Sequence, residues 1–188
     1  MYLLRFRCSL GAVYHRRFIK MSFHETSVEN LSINPFTLIN KGWMLLTAGN
    51  EKSHNTMTAS WGSVGELWGS YVSTIHIRPQ RYTLEFIEKQ DFYSVCFFEE
   101  EYRNALTICG KISGRDCDKD KEAGLTPVFD QAAPYYQEAK LVFICRKLYK
   151  QDMKEECFLD RRILDKQYAA GDLHRTFIGE IVKVLEKD

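Results

Sequence analysis

Apolar and polar residues fall along the chain in short blocks, most with the length and composition of strands rather than helices. Gly42 to Asn50 (GWMLLTAGN) is an apolar run ending in turn formers, which predicts a buried strand. His54 to Gly62 (HNTMTASWG) is rich in Thr and small residues. After the turn-like SVGEL, Trp68 to Ile77 (WGSYVSTIHI) reads as another strand, and these two strands are expected to be neighbours. Pro79 stops the latter, because it has no N–H for a ladder and biases Arg78 toward an extended conformation. In YTLEFIEKQ, Thr83, Leu84 and Ile87 share one face of a short helix. DFYSVCFF resumes as a strand in which Val95, Cys96, Phe97 and Phe98 are too continuous for an exposed edge.

EYRNALTICGKIS again has helical spacing, with Ala105, Leu106 and Cys109 on one side and Gly110 near the stop. SGRDCDKDKEAGLTPV is polar and turn-rich. Ala139 to Tyr149 is the longest β run, and the polar insertion that follows it contains a helical turn. The closing HRTFIGEIVKVLEKD places Phe177, Ile181 and Val184 at apolar positions, with Gly179 marking a bulge or bend. Strands joined by short helices predict a mainly β fold, closed or partly closed into a barrel, rather than a doubly wound sheet. Neither GxGxxG nor GxxxxGK[ST] occurs, so Rossmann and P-loop chemistry are set aside.

Composition narrows this picture. With 188 residues, 45% of them apolar and 27% charged, the chain has the make-up of one ordinary globular domain. Residues 1–24 read as an N-terminal extension or ribbon and residues 25–188 as the domain. The leading MYLLRFRCSLGAVYHRRFIK is basic and free of acids, but Arg5 and Arg7 break its apolar stretch, so it is a poor secretory signal. A transit peptide, a disordered tail, or an upstream extension of a chain beginning at Met21 remain open. The net charge of +1 turns mildly acidic once Arg5, Arg7, Arg16, Arg17 and Lys20 are set aside, which argues against a nucleic-acid partner. No run approaches the ~18 apolar residues of a membrane span. Cys8, Cys96, Cys109, Cys117, Cys145 and Cys157 form neither CxxC nor a zinc spacing, so no metal is expected and a reducing, cytoplasmic location is.

Three stretches carry candidate chemistry. HNTMTASWG offers Asn55, Thr56, Thr58 and Ser60 on one strand, whose side chains and amides can meet a planar heterocycle such as isoalloxazine, with Trp61 over its apolar part. The plainer alternative is a Thr-rich strand with a core Trp. In STIHIRPQRYT, the forked donors Arg78 and Arg81 and the hydroxyl of Thr83 stand beside a helix start and suit a phosphate; a solvated turn is the alternative. Ser113, Gly114 and Lys119 lie on a loop able to fold over a cofactor, and His174, just before the last strand, is either a donor to a pocket or a structural histidine.

The order of these pieces is more specific than any one of them. From about Pro35 to Glu186, NTMTASWG, a strand ending in IRPQRYT, CGKISGRDCDKDKEAGLT and GDLHRTFIGEIV resemble the flavin reductase-like, FMN-binding split-barrel family, and its flavoredoxin-like branch in particular. The resemblance implies a split β-barrel that binds FMN non-covalently near the interface of a homodimer. Asn55, Thr56, Met57, Thr58, Ser60 and Trp61 match the strand along the flavin ring. Ser73, Arg78, Arg81, Tyr82 and Thr83 match the surroundings of the ribityl phosphate, and Ser113, Gly114 and Lys119 match the second loop. His174 matches a histidine near the flavin face or its access route and is the candidate catalytic residue.

The implied activity is an oxidoreductase carrying electrons from NAD(P)H through FMN to free flavin, iron or another acceptor, with a small molecule or a protein as redox partner and no membrane or nucleic acid. Two readings stay open beside it: a flavoredoxin-like electron-transfer flavoprotein without direct NAD(P)H activity, and a nonenzymatic flavin-binding module. NTMTASW and SGRDxDK disfavour a related oxidase of pyridoxine-type vitamers, and no His and Met pairing asks for haem.

Overall fold

The computed structural model describes residues 22–188. The readings of the basic leading segment therefore fall largely on residues 1–21, outside the described residues. The strands are β1 (Phe23–Thr26), β2 (Met44–Asn50), β3 (Ser53–Ala59), β4 (Gly62–Leu67), β5 (Ser70–Ile77), β6 (Phe92–Phe97), β7 (Pro127–Val128), β8 (Tyr135–Tyr136), β9 (Leu141–Asp152) and β10 (Arg175–Lys187). The α-helices are short: α1 (Pro35–Thr37), α2 (Thr83–Lys89), α3 (Arg103–Lys111), α4 (Lys119–Ala123) and α5 (Arg162–Gln167). Among the described residues no helix is long and apolar enough to cross a membrane.

One 8-stranded sheet, antiparallel throughout, runs in the order β3-β2-β6-β9-β10-β5-β4, with β1 added to β10; β7 and β8 form a separate hairpin. The mainly β character with short helices holds, but closure does not: β3 and β4 end the path and share no ladder, so the expected split β-barrel is corrected to an open sheet. Apolar runs count strands; they carry no information on whether the last pairs with the first. Only Ser60 and Trp61 separate β3 from β4, so the chain must bring the two ends of the sheet together at one corner without joining them.

The strand expected over His54 to Gly62 is not a neighbour of the one after it. Thr58 pairs with Leu45 of β2, while β5 lies between β4 and β10. The intervening SVGEL, read as a turn, is most of strand β4, with Val64 opposite Ser73. Its small and acidic residues disguise it because it is an edge strand with exposed positions. The actual turn is Trp68-Gly69, whose φ values of 57° and 73° are those of a two-residue type I′ hairpin. Glu66 supports it by accepting the Gly69 N–H at 2.8 Å.

The unbroken apolar runs arise because β2, β6 and β9 are covered on both faces. Leu46, Val95, Phe143, Cys145 and Phe177 fill one side. Leu45, Cys96, Val142 and Ile144 fill the other, beneath Ala105, Leu106 and Cys109 of α3 and the pair Tyr135 and Tyr136. Each fully buried side chain of this kind contributes roughly 1.5–3 kcal/mol. Burial pushes the Cys96 thiol up to about 12, which makes it an inert core residue.

Gly179 is the expected bulge: the β9–β10 register shifts between Ile178 and Gly179. A Cβ at this position would lie 2.5 Å from the hydroxyl oxygen of Tyr93, so the strand bends around a buried ring. The polar 113–128 stretch also holds more order than its composition indicates. Asp118 caps α4 by accepting the N–H groups of Asp120 and Lys121, and Gly124, at φ 66°, ends it.

Candidate functional site

The corner where the sheet ends meet opens into a cleft of about 200 Å³. The end of β3 supplies Met57, Thr58 and Ala59, and the link to β4 supplies Ser60 and Trp61. On the opposite side, strand alternation puts Thr74 and His76 on one face of β5, and His76 reaches the cleft together with Arg78, the residue that follows the strand. Arg81, from the turn after Pro79, and His174, from the residue before β10, complete the lining. Met57 is buried, whereas Trp61 is 43% exposed and forms a wall.

The two arginines differ in how their charge is met. Arg78 contacts Asp172 at 2.5 Å, donates to the Gln167 carbonyl at 2.9 Å and lies over the Tyr168 ring at 5.1 Å. Hydrogen bonds from Gln80 and then Arg78 hold the Asp172 carboxyl below its usual range, so Arg78 is already neutralised by a carboxylate. Arg81 donates one Nη1–H to the Gly110 carbonyl at 2.8 Å, but its Nη2 is buried without a partner. Among the described residues this is the one buried side-chain nitrogen or oxygen so orphaned. Burial lowers the Arg81 pKa, yet a guanidinium remains charged at any working pH. A buried, charged donor without an acceptor costs about 1–3 kcal/mol or more, and an incoming anion removes that cost.

His174 is buried, with its Nδ1 2.8 Å from the Tyr168 hydroxyl and its ring centroid 5.3 Å from that of Trp61 and 6.3 Å from that of His76. Burial first, then the nearby Arg78 and His76, lower its pKa to about 4. Burial also lowers that of His76, which meets Thr176 Oγ1 at 2.9 Å. His174 is thus neutral at pH 7. The cleft combines an apolar floor, an aromatic wall, a neutral imidazole and an uncompensated cation, which suits a planar, anionic, partly apolar ligand.

The sequence-based site residues divide between this cleft and other places. Met57, Thr58, Ser60, Trp61, Arg78, Arg81 and His174 line it together. Asn55, Thr56, Gly114 and Lys119 instead border a second recess of about 600 Å³, beside His54 and Asp120. There Asn55 donates to Thr83 Oγ1 at 2.7 Å, and a Cβ on Gly114 would come within 2.0 Å of Asn55 Oδ1, so Asn55 ties β3 to α2 and to the loop. Thr56 pairs with Thr47 at 2.9 Å inside the sheet.

Lys119 donates to the carbonyls of Thr56 and Cys109 at 2.8 and 2.9 Å. Burial, and secondarily Arg81, lower its pKa. Ser113 shapes its own turn, accepting the Arg115 N–H at 3.2 Å. Tyr82 sits between the Arg115 guanidinium and Phe86, and Ser73 is buried in β5, where its carbonyl accepts the Tyr93 hydroxyl. His76, Asp172 and Tyr168 were not singled out from the sequence. His76 shares strand parity with Arg78 and was findable on that ground; Tyr168 lies in a polar insertion with no periodic signal.

The chain belongs to the flavin reductase like domain family, which it matches over residues 36–188. No curated protein matches its sequence. Solved structures share its fold. Flavoredoxin from Methanosarcina acetivorans superposes with a TM-score of 0.59 at 21% identity, over 76% of this chain and 67% of that one. An FMN-binding domain of a flavin reductases-like enzyme from Shewanella baltica gives 0.63 at 16% identity, over 89% and 78%. The NADH:FAD oxidoreductase of Streptomyces globisporus C-1027 gives 0.59 at 15%, over 78% of each chain.

Proposed function

We propose that this protein binds FMN in the cleft between β3 and β5 and works as a flavin reductase-like oxidoreductase of the flavoredoxin-like branch, taking electrons from NAD(P)H. The observation that carries this reading is the orphaned Arg81 Nη2 in a cleft walled by Trp61 and floored by Met57 and Ala59, in a chain of the flavin reductase-like family. These residues fit the group: a phosphate satisfies the buried donor, and a flat ring with one apolar edge suits the floor and wall.

FMN, when bound, supplies the hydride-accepting and electron-releasing chemistry. The chain's own residues do the rest. Arg81 holds the anion, with Arg78 nearby and restrained by Asp172 and Tyr168. Trp61 and Met57 exclude water from the apolar part of the cleft. His174, neutral and buried, offers a polar edge without adding a positive charge. Asn55, Thr83 and Gly114 hold the neighbouring loop against β3, and Lys119 fastens that loop to the strand. No acid or base is required for hydride transfer.

Homodimerisation belongs to the same proposal. What supports it is the size of the cleft: about 200 Å³ is below the ~300–1,000 Å³ that encloses a ligand of this size, so a second copy would complete the enclosure. The free, buried thiols of Cys96 and Cys145 favour a reducing compartment, and the cytoplasm is the location we propose.

An anaerobic absorbance titration of FMN-loaded protein with NADH and then NADPH tests the reading. Bleaching by either establishes direct reduction. Bound flavin left oxidised by both assigns the chain to electron transfer served by another reductase, and failure to retain FMN at all refutes the site.

A further inference from the structure

His174 is fastened on one side and open on the other. Nδ1 meets the Tyr168 hydroxyl at 2.8 Å, while the imidazole also lines the cleft. A neutral imidazole carries one ring proton, and its position decides whether the cleft meets a donor or a lone pair. Two arrangements satisfy the Tyr168 contact: the phenol donates to Nδ1 and the proton sits on Nε2, or Nδ1–H donates to the phenol and Nε2 is bare.

Chemistry around Tyr168 separates them. A phenol is the better donor of the pair and an imidazole nitrogen the better acceptor. If Nδ1–H were the donor, the Tyr168 O–H would have to turn to the Met153 sulfur at 3.6 Å, a weak acceptor. Burial raises the Tyr168 pKa, so its proton stays in place, and burial with the Arg78 guanidinium keeps His174 neutral. The groups facing this imidazole are Tyr168 from the loop after α5, His76 from β5, Arg78 just after β5, Asp172 from the approach to β10 and Trp61 from the β3–β4 link. Asp172 is the one carboxylate among them, and Arg78 and Gln80 already occupy it.

We propose that Tyr168 is a positioning residue for His174: its hydroxyl donates to Nδ1 and thereby fixes the Nε2–H tautomer, so that the cleft receives a neutral hydrogen-bond donor. This rests on the cleft being the flavin site only for its use. The tautomer itself is a property of the ligand-free chain. A donor fixed at this wall attracts a carbonyl or another electron-rich acceptor on whatever enters. The same phenol helps hold Arg78, whose guanidinium lies over its ring at 5.1 Å, so one side chain contacts two of the cleft's polar groups, His174 and Arg78.

The test is ¹⁵N NMR of the histidine side chains in FMN-free protein between pH 5 and 8, His174 being assigned by His174→Gln. The expected result is an acceptor-type Nδ1 and a protonated Nε2 throughout, and in Tyr168→Phe a fall of about fivefold in the Nε2–H to Nδ1–H ratio, the worth of one hydrogen bond. A protonated Nδ1 in the unaltered protein overturns the proposal whatever the variant does, and so does an unchanged ratio in a folded Tyr168→Phe. With FMN added, a shift in the flavin midpoint potential of Tyr168→Phe at unchanged FMN affinity extends the role to the cofactor. Failure of both proteins to bind FMN would count against the flavin site and leave the tautomer result standing.

Discussion

Replacing Arg81 by Met separates an anion-binding arginine from a structural one, because the two roles predict different signs. In the free protein Arg81 gives one hydrogen bond to the Gly110 carbonyl at 2.8 Å and keeps Nη2 buried and unpaired. Losing the bond to Gly110 costs about 1.5–3 kcal/mol, as for a charged donor, and removing the orphaned cation returns about 1–3 kcal/mol. The two nearly cancel, so ligand-free stability should move by no more than about 1 kcal/mol, read as a urea midpoint at constant slope. FMN affinity should fall by about 1.5–3 kcal/mol, roughly 10- to 150-fold, since a charge-assisted bond to phosphate is lost with nothing returned. Riboflavin has the same ring and no phosphate, so fluorescence titration with it should give closely similar constants in both proteins. Equal losses for FMN and riboflavin, or no loss for either in a folded variant, would refute the assignment of phosphate to Arg81.

Further expectations concern the scaffold around the cleft. Gly179→Ala drives a Cβ to 2.5 Å from the Tyr93 hydroxyl oxygen and 2.8 Å from its Cε1, and should destabilise by about 1–3 kcal/mol, seen as a lower thermal midpoint. Gly114→Ala meets Asn55 Oδ1 at 2.0 Å, on an amide whose Nδ2 is bonded to Thr83 Oγ1, so protease nicking of the 113–118 loop should rise. The lowered pKa of His174, about 4 when folded, means the unfolded chain binds its proton first as pH falls. Its contribution is therefore complete above about pH 6.5 and is lost progressively toward pH 4, and His174→Gln should flatten the decline in urea midpoint across that window. If a second copy completes the site, FMN retention should weaken on dilution in step with the mass measured by light scattering; retention independent of protein concentration would refute a shared site.

Much of the scaffold was readable because burial on both faces of β2, β6 and β9 leaves continuous apolar runs, and because Gly179 and Pro79 act through local backbone geometry. Strand β4 escaped notice because an edge strand has no need of apolar alternation. The open path of the sheet escaped because pairing of distant ends leaves no trace in local pattern. Arg81 and Trp61 stood out as residue types suited to a ligand, and the structure brings them to one cleft with His174. Asn55 and Lys119 stood out for the same reason but reach backbone and loop instead. That distinction depends on the 113–119 loop folding back onto β3, a contact between segments more than 50 residues apart whose geometry composition does not encode.

Lys119 also bears on strand addition at the β3 end of the sheet. An end strand such as β3 presents backbone groups that another chain's strand can zip onto. Here the ammonium of Lys119 already occupies the Thr56 carbonyl and is itself tethered to the Cys109 carbonyl. An intruding strand would have to evict a cation that packing holds in place, and would then bury the charge or expel it. The middle of β3 is in this way sealed against strand addition, while its far end, at Thr58 and Ala59, and the Ser60-Trp61 link line the cleft open to a small molecule.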